Sequence, residues 1–152
     1  MTINKTFSWI FVFLWMALIF ILSHQSAAES SQLSTGLTEV IINTIEKAIP
    51  TVDFDIGSLD HVIRKSAHFF AYLIMGILVI NALKKSAVCG ISSVGISLLI
   101  CVIYAILDEF HQLFVIGRDG RFKDVLIDSA GSLFGIAIFL FYRIKIKKGT
   151  TQ

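Results

Sequence analysis

Two apolar runs, Val88 to Leu107 and Val125 to Tyr142, flank a block dense in ionisable residues. The block reads Asp108-Glu109-Phe110-His111-Gln112, then Arg118-Asp119-Gly120-Arg121-Phe122-Lys123-Asp124, with Asp128 set inside the second run. This pattern constrains the fold more than any other stretch. Runs of that length read as membrane-spanning helices, and charge beside lipid-facing helices is costly enough to imply a use. The block is expected as a short loop between two transmembrane helices.

Two further runs, Phe7 to Leu22 and Phe69 to Leu83, bring the count to four. A span needs roughly 20 residues, so the shorter runs borrow polar flanking turns. The expected helices are about 7–22, 64–83, 88–107 and 124–142, in a single membrane domain covering 1–152. Composition agrees, since 55% hydrophobic and 16% charged residues exclude an ordinary soluble domain. The first run has a rival reading as a signal peptide, with Lys5 before it and Ser26-Ala27-Ala28 after it. Its length, slightly beyond the usual 7–15 or so residues of such a segment, and its bulky aromatics favour an uncleaved helix. Cys89 and Cys101 have no C-x-x-C spacing, so they suggest neither a disulfide framework nor a thiolate zinc site.

Lys5, Lys84, Lys85, Arg143, Lys145, Lys147 and Lys148 fall on one side of this four-helix bundle; Lys47, Arg64, Lys65, Arg118, Arg121 and Lys123 fall on the other, so the acids separate the sides better, since every Asp and Glu lies on that second side. The basic side is expected to be cytoplasmic, with both termini there. The long first outer loop carries Leu33, Leu37, Val40, Ile41, Thr44, Ile45, Ala48 and Ile49 at helical spacing. It is expected to hold an amphipathic helix ended by Pro50. Asp53 to Gly57 reads as an extended connector, and the basic tail after Lys145 as an orientation anchor without structure of its own.

His61, Lys65, His68 and Tyr72 share one face of the second helix by their spacing, and Tyr104, Asp108 and either His111 or Gln112 share one face of the third. Acids at a helix carboxyl end oppose the macrodipole. Asp108 and Glu109 therefore need a cation, with Lys65, Arg118 and Arg121 available. Asp124 suits the N-cap of the fourth helix. Asp128, one turn further in, lies on a stripe with Gly131 and Gly135, where another helix can approach closely; there a partner, a proton or a metal must make it tolerable.

The combination Ser23-x-Gln25, Lys65-x-x-His68-x-x-x-Tyr72, Asp108-Glu109-x-x-Gln112-x-Phe114, Gly117-Arg118 and Asp124-x-x-x-Asp128-x-x-Gly131-x-x-x-Gly135 resembles the VanZ-like family over nearly the whole chain. The resemblance implies a small multi-pass protein of the bacterial plasma membrane and cell envelope, in a family named for a member linked to low-level teicoplanin resistance. It implies no particular reaction. Ile116 stands where the family often has proline, and Asp128 where asparagine is common, which adds a possible negative charge to the site.

Two classes of function use these residues. In the first, Lys65, His68, Tyr72, Asp108, Glu109, Gln112, Arg118, Arg121, Asp124 and Asp128 form an outward-facing polar site for the anionic headgroup of a membrane lipid or lipid-linked envelope precursor. In the second, the protein is an intramembrane hydrolase or transferase on a lipid-linked substrate. Its candidate catalytic residues are His68, Asp108 and Glu109, with His68 or Asp108 as general base and Arg118 stabilising phosphate charge. No nucleophile stands in a recognised motif. His68, His111, Asp108, Glu109, Asp124 and Asp128 have donors that suit Zn²⁺ or Mn²⁺, but they come from separate helices at unknown distances, so no metal and no cofactor is assigned. No nucleic-acid partner is expected; a purely structural role beside another membrane protein is the third alternative.

Overall fold

The computed structural model describes residues 2–26, 28–30, 32, 35, 36 and 56–149. Its elements are α1 (Thr2–Ser23), α2 (Ile56–Lys85), α3 (Ile91–Gln112) and α4 (Phe122–Gly149). All four contain a stretch long and apolar enough to cross a bilayer, from 20 residues in Asn4–Ser23 to 25 in His61–Lys85. Among the described residues the chain is an all-α membrane protein with four helices that can span a bilayer. Of the amphipathic helix expected over Leu33 to Ile49, Thr35 and Gly36 are described and are helical; the rest lies outside the described residues.

The helices run further than the apolar runs alone indicated. Ile56 and Gly57, expected in a connector, already belong to α2, and α4 continues through the basic tail to Gly149. Helix α3 begins at Ile91 instead of Val88 and extends to Gln112, so Asp108 to Gln112 form its last turn and not a loop. The physical reason is common to all these ends. In a bilayer every backbone group must be satisfied within its segment, and polar residues at the interface cost a helix little.

Helix α2 packs on each of the other three, most extensively on α4, and the two run parallel. Their backbones touch. A Cβ on Gly131 would strike the carbonyl oxygen of Phe69, one on Gly135 that of Leu73, and one on Gly76 that of Ser132. The expected close approach at Gly131 and Gly135 is thus real, and its partner is α2, which supplies Gly76 in return. Ser132 Oγ donates to the Tyr72 carbonyl at 3.2 Å across this seam.

Helix α3 turns its small side chains inward: Ser93, Ser97, Cys101 and Ala105 are buried at four-residue spacing, and Asp108 and Gln112 carry that strip to the polar end. Helix α1 is held differently, by polar side chains reaching backbone or hydroxyl groups. Trp15 Nε1 donates to the Ala71 carbonyl at 2.9 Å, Tyr104 Oη to the Met16 carbonyl at 2.6 Å, and Trp9 Nε1 to Ser86 Oγ at 3.0 Å. The core they enclose contains Val12, Ile19, Tyr72, Met75, Val79, Cys101 and Ala105. Outward faces are apolar, with Phe13, Phe70, Leu99 and Phe134 each more than half exposed, as lipid contact requires.

Candidate functional site

The parallel α2–α4 seam sets the register of the polar end. With Phe69 against Gly131 and Leu73 against Gly135, Lys65 meets Asp124 and His68 meets Asp128. Lys65 and Asp124 form an ion pair, both side chains mostly buried. Asp124 sits inside the first turn of α4, which opens at Phe122, and is not the N-cap that its sequence position suggested. Its carboxylate answers Lys65 and stays favourably near the helix amino end.

Asp128 is fully buried about 9 Å inside the end of α4. His68 Nδ1 lies 3.8 Å from its Oδ2, close for an ion pair but long for a hydrogen bond. Asp108, only 3% exposed, completes a cluster in which one donor atom each of His68, Asp108 and Asp128 lies within 4.8 Å of the others. No oxygen of either carboxylate has a partner at good hydrogen-bond geometry; the Ser23 and Tyr72 hydroxyls stand in weaker contact with Asp108, and His68 with Asp128.

Glu109 and Gln112 do structural work at this end. Glu109 Oε2 accepts the Arg121 backbone N–H at 2.9 Å, strapping the α3–α4 connection to the helix. Gln112 Nε2 donates to Ser23 Oγ at 2.8 Å, tying the end of α1 to α3. Beside it His24 and His111 share a ring-nitrogen contact of 3.0 Å. Gly117 takes φ 75°, the left-handed region that favours glycine, and this turns Arg118 back over the site. Burial first, and the neighbouring Arg64 second, push the Arg118 pKa below the usual guanidinium value, while Asp108 and Glu109 oppose that; the group stays charged. The Arg121 guanidinium faces outward to Asp119 at 3.5 Å. Of the cations available to Asp108 and Glu109, none forms an ion pair with either among the described residues.

A cavity of about 140 Å³ opens over this floor. Of the residues picked from sequence, Lys65, His68, Glu109, Gln112, Arg118, Arg121, Asp124 and Asp128 line it, joined by His61, Arg64, Gly117, Asp119 and Ile127. Tyr72 and Asp108 do not line it; they lie beneath, buried. Of the five joining residues, Arg64 is the cation that sequence reasoning left out of the site. Its position four before His68 would have placed it on the same helical face. A second cavity, about 190 Å³ and mostly apolar, runs between α1 and α2 past Ile19, Leu22, Ile63, Ala67 and Ala71. It shares Arg64, His68 and Arg118 with the first.

The arrangement can hold an anion between arginines, shelter an apolar chain next to it, and hold or move a proton at His68. Comparison with protein families matches residues 7–143 to the family described as VanZ/LLP1. Neither curated proteins nor solved structures gave a match.

Proposed function

The chain belongs to the VanZ/LLP1 family, and from that premise we propose that its polar cavity holds the anionic headgroup of a membrane lipid or lipid-linked envelope precursor while the adjoining groove takes an acyl or prenyl chain. One observation carries this reading: Arg64, His68 and Arg118 line both spaces, so a charged recess and an apolar channel meet at the same three side chains. A soluble anion has no use for the groove, and a plain hydrocarbon none for the arginines. Arginine suits a phosphate through planar paired contacts, and Lys65, already paired with Asp124, adds charge at the rim.

The acids and the site sit at the end opposite Lys84, Lys85, Arg143 and Lys145, so in a bacterial plasma membrane the site faces outward and both termini lie inside. Cys89, exposed beside the basic connection, reports this orientation, whereas Cys101 is buried. An impermeant maleimide applied to intact cells should spare Cys89 and reach it in inverted vesicles; labelling from outside would reverse the assignment.

Native mass spectrometry of gently extracted protein tests the ligand. The expected result is a co-purifying anionic phospholipid or polyprenyl phosphate that is lost in Arg118→Gln; a chain free of lipid, or equal retention by the variant, would overturn the reading. The second reading, an intramembrane hydrolase or transferase, is favoured by the His68–Asp128 juxtaposition at 3.8 Å. His68→Gln separates the two. A binder should keep lipid and most of its effect on teicoplanin susceptibility, whereas loss of a general base lowers activity by roughly 10²–10⁴-fold with lipid still bound.

A further inference from the structure

We propose that His68, Asp108 and Asp128 form a three-ligand site for a divalent transition-metal ion at the floor of the polar cavity. The three come from α2, α3 and α4 in that order, and the sequence offered no way to know that they meet. One donor atom from each lies within 4.8 Å of the other two, and His68 Nδ1 is 3.8 Å from Asp128 Oδ2. Ligands around one zinc ion, with bonds of roughly 2.0–2.2 Å, stand about 3–4 Å apart. Drawing the donors in from at most 4.8 Å to that spacing would close the cluster on an ion.

A second observation is independent of that spacing. Asp108 is 3% exposed and Asp128 0%, and none of their four carboxylate oxygens has a partner at good hydrogen-bond geometry, the Ser23 and Tyr72 hydroxyls beside Asp108 and His68 beside Asp128 standing in weaker contact. Buried polar atoms are nearly always satisfied, and buried carboxylates are the costliest to leave without a partner. Lys65 pairs with Asp124, and Arg118 acts on Asp108 and Glu109 through space without closing to an ion pair with either. A dication with one neutral imidazole and two carboxylates leaves no net charge in the bilayer-embedded end of the bundle.

The surroundings resemble a supporting layer for ligands. Gln112 donates to Ser23, which leaves the Ser23 hydroxyl proton for the adjacent Asp108, and the buried Tyr72 hydroxyl, itself without a hydrogen bond, stands on the same carboxylate. Imidazole nitrogen with two carboxylate oxygens suits Zn²⁺ or Mn²⁺. His68 and Asp128 also line the cavity, so the ion's remaining positions face the space where a phosphate oxygen or a water would sit.

The test uses untagged, full-length protein, delipidated in detergent and stripped with chelator, then given Zn²⁺ or Mn²⁺ alone. Elemental mass spectrometry should find one ion retained per chain, with a rise in the thermal midpoint. Asp108→Asn and Asp128→Asn should each weaken binding by roughly 10–100-fold or more. Asp119→Asn, an exposed acid at the cavity rim, should leave it unchanged. X-ray absorption at the edge of the retained ion in the native chain should show one imidazole and oxygen donors, which decides the matter even where a variant fails to fold. Retention of neither ion, a spectrum without imidazole, or equal loss in Asp119→Asn would overturn the site. Because lipid is absent throughout, metal binding stands or falls separately from headgroup binding.

Discussion

The two seams that α2 makes are built on opposite principles. Against α4 it lays backbone on backbone, with Gly76, Gly131 and Gly135 removing every side chain that would hold the helices apart. Against α1 it is joined by polar ends of large side chains, Trp15 to the Ala71 carbonyl and Trp9 to Ser86, with an apolar cavity left between the helices. Glycine contact admits one register, because a carbonyl oxygen occupies the place of each missing Cβ. Hydrogen bonds from long side chains tolerate adjustment. The seam that cannot shift carries Lys65–Asp124 and His68–Asp128, where geometry matters. The seam that can adjust borders the groove, where a chain would have to enter.

The largest way to break this contrast is Gly135→Ala. One methyl must displace the Leu73 carbonyl, so destabilisation of about 1–3 kcal/mol is expected, together with separation of His68 from Asp128. The thermal midpoint in detergent measures the first, and loss of headgroup or metal binding the second. A variant as stable and competent as the parent would mean that the seam is not rigid.

Next comes the ion pair at the head of that seam. Lys65→Met and Asp124→Asn, alone and together, should show a coupling of about 1 kcal/mol, since the pair is mostly but not wholly buried. Additive losses would detach the pair from the register. On the adjustable side Trp15→Phe should cost only about 0.6 kcal/mol, an average interhelical hydrogen bond in a membrane protein, and should alter groove occupancy more than stability.

The smallest effect is expected just beyond α1, where Ser26 and Glu29 cap each other: Glu29 Oε2 accepts the Ser26 N–H and O–H, and Ser26 Oγ accepts the Glu29 N–H. The two bonds from Ser26 hold the Glu29 carboxyl below its ordinary value. A depressed acid contributes order that is present above the unfolded value and lost as pH falls through the folded one. Hydrogen exchange at 28–30, read as protection relative to the unstructured rate at each pH, should therefore stay constant from neutral pH and quicken only below the ordinary glutamate range. Quickening already near the normal glutamate range would show the cap to be unimportant.

Four spans, their common polar end and most of the residues there were legible in the chain itself. The reason is that a bilayer penalises each misplaced charge and each unsatisfied backbone group separately, so residues such as Lys84, Arg143 and Asp128 mark the ends of the spans one by one. Gly131 and Gly135 likewise announced a close contact. What they could not announce was the other helix, because a glycine has no side chain to specify its partner. Only packing decided that α2 lies there, with Gly76 in reply. From that choice follow the placement of Asp124 beside Lys65 instead of at an N-cap and the burial of Tyr72 and Asp108 beneath the cavity. It also brings His68, Asp108 and Asp128 together from three helices. Helical spacing orders residues along one helix, whereas distances between helices depend on how whole surfaces fit, and that information exists only once the bundle has closed.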